Sequence, residues 1–127
     1  MNGVLLFAHG ARDPRWSVPF DAVAGRLRAA EPALEVELAF LEFMAPTLRD
    51  AGDRLAYAGC ATVDVVPLFL GAGGHVRKDL PALLDDLRAA HPQVHWRLGP
   101  AIGEIDSVID AMAQAVLRIA GVPAPRP

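Results

Sequence analysis

The chain has a single cysteine, Cys60, among 127 residues, so an internal disulfide and a cysteine-built zinc cluster are both excluded. It has no run of lysine and arginine of the kind that follows a phosphate backbone, and its formal charge of -3 argues against a nucleic-acid partner. No apolar stretch is long enough to cross a bilayer, and the first one, Val4 to Ala8, has no basic leader before it. The phosphate-binding fingerprints G-x-G-x-x-G and G-x-x-x-x-G-K-[ST] are missing as well. The expectation is a cytoplasmic protein with no membrane or nucleic-acid partner and no organic cofactor.

What is abundant is apolar. With 53% hydrophobic and 21% charged residues, the composition suits one compact core. We expect a single domain over residues 1–121 and a proline-rich tail over 122–127. The hydrophobic period alternates between strand and helix spacing, the signal for βαβ units around a parallel sheet. Val4 to Ala8 and Val63 to Leu70 are near-continuous apolar runs, as for strands covered on both faces. Leu34 to Leu41 and Val94 to Leu98 alternate with polar residues, as for edge strands. Pro67 fits a central strand only near its end, because it cannot donate to a ladder.

Helical stripes follow each strand: Phe20, Val23, Ala24 and Leu27, then Leu48, Ala51 and Leu55, then Leu80, Leu83, Leu84 and Leu87. The last runs from Ile105 through Met112 to Ile119 and stops near Gly121. Asp79 is placed to cap the third helix ahead of Leu80 and Pro81. Short right-handed crossovers then predict a three-layer α/β domain with a four-stranded parallel sheet in the order 2-1-3-4.

In that order the first and third strands adjoin and the chain leaves them in opposite directions, which makes a ligand crevice at their carboxyl ends. Two histidines fall there, in Ala8-His9-Gly10 and Gly74-His75-Val76, and Glu42 follows the second strand. Neighbouring strands lie about 4.8 Å apart, so His9, His75 and Glu42 can converge on one ion. Neutral imidazole is both a metal ligand and a usable base, and a two-nitrogen, one-carboxylate set leaves positions open for exchange. Such a site suits chemistry that must hold a divalent cation and accept protons from the group receiving it. Arg12, Arg15, Arg49, Arg77 and Lys78 lie beyond the same strand ends, either as a rim for a polycarboxylate or as a solvated fringe. The Gly71 to Gly74 loop can approach a phosphate or simply turn the backbone close to a ligand. Trp16 can stack on a flat substrate or cover the first helix's packing seam. His91, His95 and Cys60 receive no functional role.

The segments His9-Gly10-Ala11-Arg12-Asp13-Pro14, Leu41-Glu42-Phe43-Met44-Ala45-Pro46 and Pro67 through Pro81 resemble the signatures of the small class II tetrapyrrole chelatases, the sirohydrochlorin cobaltochelatase and ferrochelatase family. The resemblance extends through at least Leu98. It implies a chelatase half domain that inserts a divalent metal, cobalt, iron or nickel, into sirohydrochlorin without ATP, toward cobalamin or siroheme. His9 and His75 are then the metal-binding and proton-accepting pair and Glu42 the accompanying acid. Arg12, Gly73, Gly74 and Arg77 are expected to hold the tetrapyrrole, and single-domain relatives imply a homodimer. Ala11 stands where many relatives have serine, and Gly103-Glu104-Ile105-Asp106 replaces a His-Pro. Three other classes compete: a metal or tetrapyrrole carrier that does not turn over, a nucleotide-binding module using the glycine loop, and a two-histidine-one-carboxylate iron oxygenase.

Overall fold

A computed structural model describes residues 1–71 and 73–123, the side chains of residues 74–77 excepted. The strands are β1 (Asn2–Ala8), β2 (Glu35–Phe40), β3 (Thr62–Pro67) and β4 (His95–Leu98), and the helices are α1 (Val18–Ala30), α2 (Leu48–Tyr57), α3 (Gly74–Ala90) and α4 (Asp106–Ile119). Short 3-10 turns at Pro14–Ser17 and Ile102–Glu104 precede α1 and α4. All pairings are parallel, in the order β2-β1-β3-β4, as the hydrophobic patterns predict.

β1 is central because its side chains enter two cores. Leu5 and Phe7 meet Val63, Val65 and Trp96 beneath α2 and α3, while Leu6 and Ala8 meet Val36, Leu38 and Phe40 beneath α1. Leu84 and Leu87 of α3 are fully buried, so truncating either to alanine costs about 2–5 kcal/mol. Pro67 is the last residue of β3. Leu68 N–H donates to Phe7 O at 2.7 Å, so strand alternation turns the missing N–H of Pro67 toward the β4 side, past β4's last register partner, Leu98 opposite Val65. The third strand therefore ends at Pro67, not Leu70.

One expectation about helices needs correction. Asp79 does not cap α3, which begins five residues earlier. Its N-cap is Gly73, extended at φ -66° and ψ 163° with no side-chain cap, and Pro81 sits inside the helix at the loss of one backbone bond. The last helix, α4, differs from the other three. It packs chiefly on the Ile102–Glu104 turn and has no buried residue, although its apolar stripe has the same spacing as those that cover the sheet. Ile109, Met112, Val116 and Ile119 are all exposed.

His91, given no role above, is a buried tie between helices. Its Nε2 lies 2.6 Å from Asp53 Oδ1, and its carbonyl accepts from Trp96 Nε1 at 3.3 Å. Cys60 is buried in the core, and burial pushes its thiol up, which keeps it protonated. Among the described residues no helix is long and apolar enough to cross a membrane. Residues 124–127 of the expected tail lie outside the described residues.

Candidate metal centre

The register places the site. Ala8 pairs with Phe40, and Leu41 N–H extends the ladder one step to Ala8 O at 2.9 Å, so the residues leaving β1 and β2 stay side by side. His9 Nδ1 lies 3.2 Å from Glu42 Oε1. A carboxylate oxygen accepts, so Nδ1 carries the hydrogen, and in the neutral ring Nε2 has its lone pair for a cation or a proton. The other carboxylate oxygen, Oε2, is buried with no hydrogen-bond partner among the described residues. A buried, unpartnered carboxylate oxygen is costly unless a ligand takes it.

Three contacts hold this pair. Trp16 Nε1 donates to His9 O at 2.7 Å, which fixes the turn out of β1. The Phe69 ring supports the imidazole, with centroids 4.6 Å apart. Gly10 passes so close to the β2 exit that a Cβ there would stand 1.7 Å from Glu42 O. Phe69 is itself held from behind. Gly103 N–H donates to Phe69 O at 2.9 Å, and a Cβ on Gly103 would lie 2.2 Å from Leu70 O. The Gly103 loop thus buttresses the site's floor.

A cavity of about 260 Å³ opens beside the pair, lined by Phe7, His9, Leu41, Glu42, Asp79, Leu80 and Leu83. It lies below the roughly 300–1,000 Å³ that encloses a drug-sized ligand. A cation and its waters fit within it.

Of the residues expected at the site, His9 and Glu42 meet directly. His75 falls in the first turn of α3, one turn before the cavity-lining Asp79, and its side chain lies outside the described residues. Among the described residues, no group of three histidine, cysteine, aspartate or glutamate side chains forms a metal site. Gly73 is the N-cap of α3 and Gly74 its first residue; the Arg77 side chain lies outside the described residues. The basic rim is thinner than expected. Arg15 is bonded to Asp13, whose carboxyl it holds below the usual range, and Arg49 to Asp53. Arg12 makes no ion pair among the described residues; its guanidinium carbon lies 5.2 Å from the Phe43 ring centroid.

Trp16, Phe69 and Gly103 are the supporting residues that sequence reasoning missed. The sequence suggests only stacking or seam packing for Trp16. Phe69 lies within the third signature segment, but nothing in its spacing shows that its ring faces His9.

The CbiX family model matches residues 3–119. The sirohydrochlorin cobaltochelatase of Sulfurisphaera tokodaii is 31% identical over 118 residues, covering 93% of this chain and 96% of that protein. Among solved structures, the CbiX protein of Marinobacter aquaeolei VT8, assigned to cobalamin (vitamin B12) biosynthesis, superposes with a TM-score of 0.83 at 32% identity, covering 95% of this chain and 98% of that one. SirB from Bacillus subtilis with Fe3+ superposes at 0.80 and 26% identity, covering 96% of this chain and 48% of that one. The sirohydrochlorin chelatase SirB from Bacillus subtilis subspecies spizizenii in complex with cobalt gives 0.80 and 25%, covering 94% and 51%. This chain thus spans nearly the whole of the first two proteins and about half of SirB. A family match from residue 3 to residue 119, together with the shared fold, means that the chain belongs to the CbiX family of class II chelatases.

Proposed function

We propose that the protein is a sirohydrochlorin chelatase that inserts a divalent cation, cobalt or iron, into the macrocycle without ATP. The observation that carries this reading is the His9–Glu42 pair, 3.2 Å apart on the wall of a cavity sized for a hydrated ion. The cation, as substrate, is taken by His9 Nε2 and Glu42 Oε2, and His75, one helical turn before Asp79, is the proposed third ligand. The macrocycle lies across the mouth. Its two pyrrole N–H protons must leave as the cation enters, and the side chains that release the ion, His9 and Glu42, are then free to accept them. Glu42 also fixes the imidazole tautomer, so one residue both orients the ligand and contributes to the set. Nickel fits the same nitrogen and oxygen donors and belongs to the proposal as a third candidate substrate.

The proposed working unit is a homodimer. Along the apolar stripe of α4, Ile109, Met112, Val116 and Ile119 stay exposed among the described residues. This chain covers about half of SirB, and a second copy would stand in the place of SirB's other half. The buried, protonated Cys60 thiol suits the cytoplasm, where sirohydrochlorin is to be metallated toward cobalamin or siroheme.

The test is an absorbance-monitored metalation assay with sirohydrochlorin and Co2+, Fe2+ or Ni2+. The expected result is many turnovers per subunit, with activity lost in His9→Ala and in Glu42→Ala while the far-ultraviolet circular dichroism is unchanged. A single equivalent per subunit identifies a carrier, and full activity in either variant removes that residue from the mechanism.

A further inference from the structure

The cavity beside His9 and Glu42 holds about 260 Å³, so on the chelatase reading the flat, carboxylate-fringed macrocycle also meets the surface around it. The residue following Glu42 is Phe43, 65% exposed at φ +65°. Met44 N–H donates to Glu42 O at 2.8 Å and closes a three-residue turn about it. An i to i+2 bond with a positive central φ is the rare, strained form of the γ-turn. Glycine or asparagine meets that φ with less strain. Packing does not explain the phenylalanine either, since it belongs to neither core. Backbone strain that holds an aromatic ring in solvent, one residue from a metal-site carboxylate, calls for a ligand.

The neighbouring loop supplies the complement. Arg12, three residues after His9, holds its guanidinium carbon 5.2 Å from the Phe43 ring centroid. A guanidinium held against an aromatic face loses less freedom when it binds a carboxylate bidentately. Each strand exit therefore carries one metal-site residue facing the cavity and one rim residue facing solvent.

We propose that Phe43, with Arg12 lying against it, is the docking platform of the macrocycle and a determinant of its selection. The exposed ring stacks on the tetrapyrrole's π face, and the guanidinium takes a peripheral carboxylate. The strained turn couples the two jobs of the β2 exit: Glu42 is turned in toward the ion and Phe43 out toward the ring system that will receive it. This inference rests on the chelatase reading and adds to it how the organic substrate is recognised.

The experiment uses the full chain, sirohydrochlorin and Co2+, with Phe43→Gly, Phe43→Ala, Phe43→Trp and Arg12→Ala. Phe43→Gly and Phe43→Ala are expected to raise the sirohydrochlorin KM about tenfold, the size of one aromatic contact, with kcat and the Co2+ KM unchanged. Phe43→Trp keeps a flat face and keeps the wild-type KM; Arg12→Ala raises it. Quenching of sirohydrochlorin fluorescence without metal is expected to give the same ranking of Kd. Phe43→Gly also relieves the turn, so its Tm stays level or rises while binding weakens, the opposite of a merely structural role. Wild-type macrocycle KM and Kd in both Phe43→Gly and Phe43→Ala, or a Co2+ KM that moves as much as the macrocycle's, overturns the platform. If the wild-type protein metallates nothing, the chelatase reading fails, and the metal-free binding series still decides the platform.

Discussion

One added carbon at Gly10 tests whether the site depends on the close approach of the two strand exits. A Cβ there would lie 1.7 Å from Glu42 O and 2.9 Å from Glu42 C, where real contacts keep at least 3.0 Å. The exits must therefore part by about 1.3 Å, the difference between 3.0 and 1.7 Å. Neither side yields easily. Glu42 O already accepts from Met44 N, and Leu41 N is bonded to Ala8 O at 2.9 Å. Forced overpacking of this kind costs about 1–3 kcal/mol, a fall in Tm of roughly 5–15 °C for a domain of this size. The effect on chemistry is larger, because misplacing a reacting group by about 1 Å lowers the rate on the order of 100-fold. Gly10→Ala should therefore fold and melt in one transition, yet lose about two orders of magnitude in kcat/KM for metalation, measured well below its Tm. Gly25→Ala is the control. It lies inside α1 with nothing within 4 Å of an added methyl, so it should gain roughly 0.5–1 kcal/mol and keep its rate. A Gly10→Ala protein as active as Gly25→Ala would show that the His9–Glu42 spacing does not control the reaction.

Two further predictions concern the rest of the fold. Val116→Glu places a charge in the exposed α4 stripe and should convert the proposed dimer to a monomer in light scattering, with little change in circular dichroism, because Val116 is 63% exposed within its own chain. A variant with wild-type mass clears α4 of the interface. The second concerns acid stability. Burial pushes the Asp53 carboxyl up, but hydrogen bonds from His91 and Arg49 outweigh it and hold the group below its ordinary 3.8. A carboxyl depressed in the folded state stabilises fully above its unfolded value and loses that contribution as the pH falls through the folded one. Tm measured downward from pH 4 should drop more steeply in the wild type than in Asp53→Asn, and equal slopes would remove this pair from acid unfolding.

Much of this fold was legible because burial on both faces, on one face or on none leaves different periods in a sequence. The unbroken run at Val4 to Ala8 marks a strand between two helical layers, and the alternation at Glu35 to Leu38 marks an edge. Edge and centre then fix the order, and the order brings His9 and Glu42 to adjacent exits. The unread features share a physical cause. Periodicity states that a face is apolar but not what covers it, so the stripe of α4 reads like that of α3 although no sheet lies under it. A cap read from side chains cannot find a helix whose N-cap is Gly73, which has no side chain to cap with. The contacts that hold the His9–Glu42 pair and its surroundings, Trp16 to His9, Gly10 against Glu42 and Gly103 against Leu70, join segments up to 33 residues apart in sequence and leave no local pattern. The donors of such a site can be located from the ends of strands, whereas the groups that hold them at working distance emerge only when the loops between strands are packed against one another.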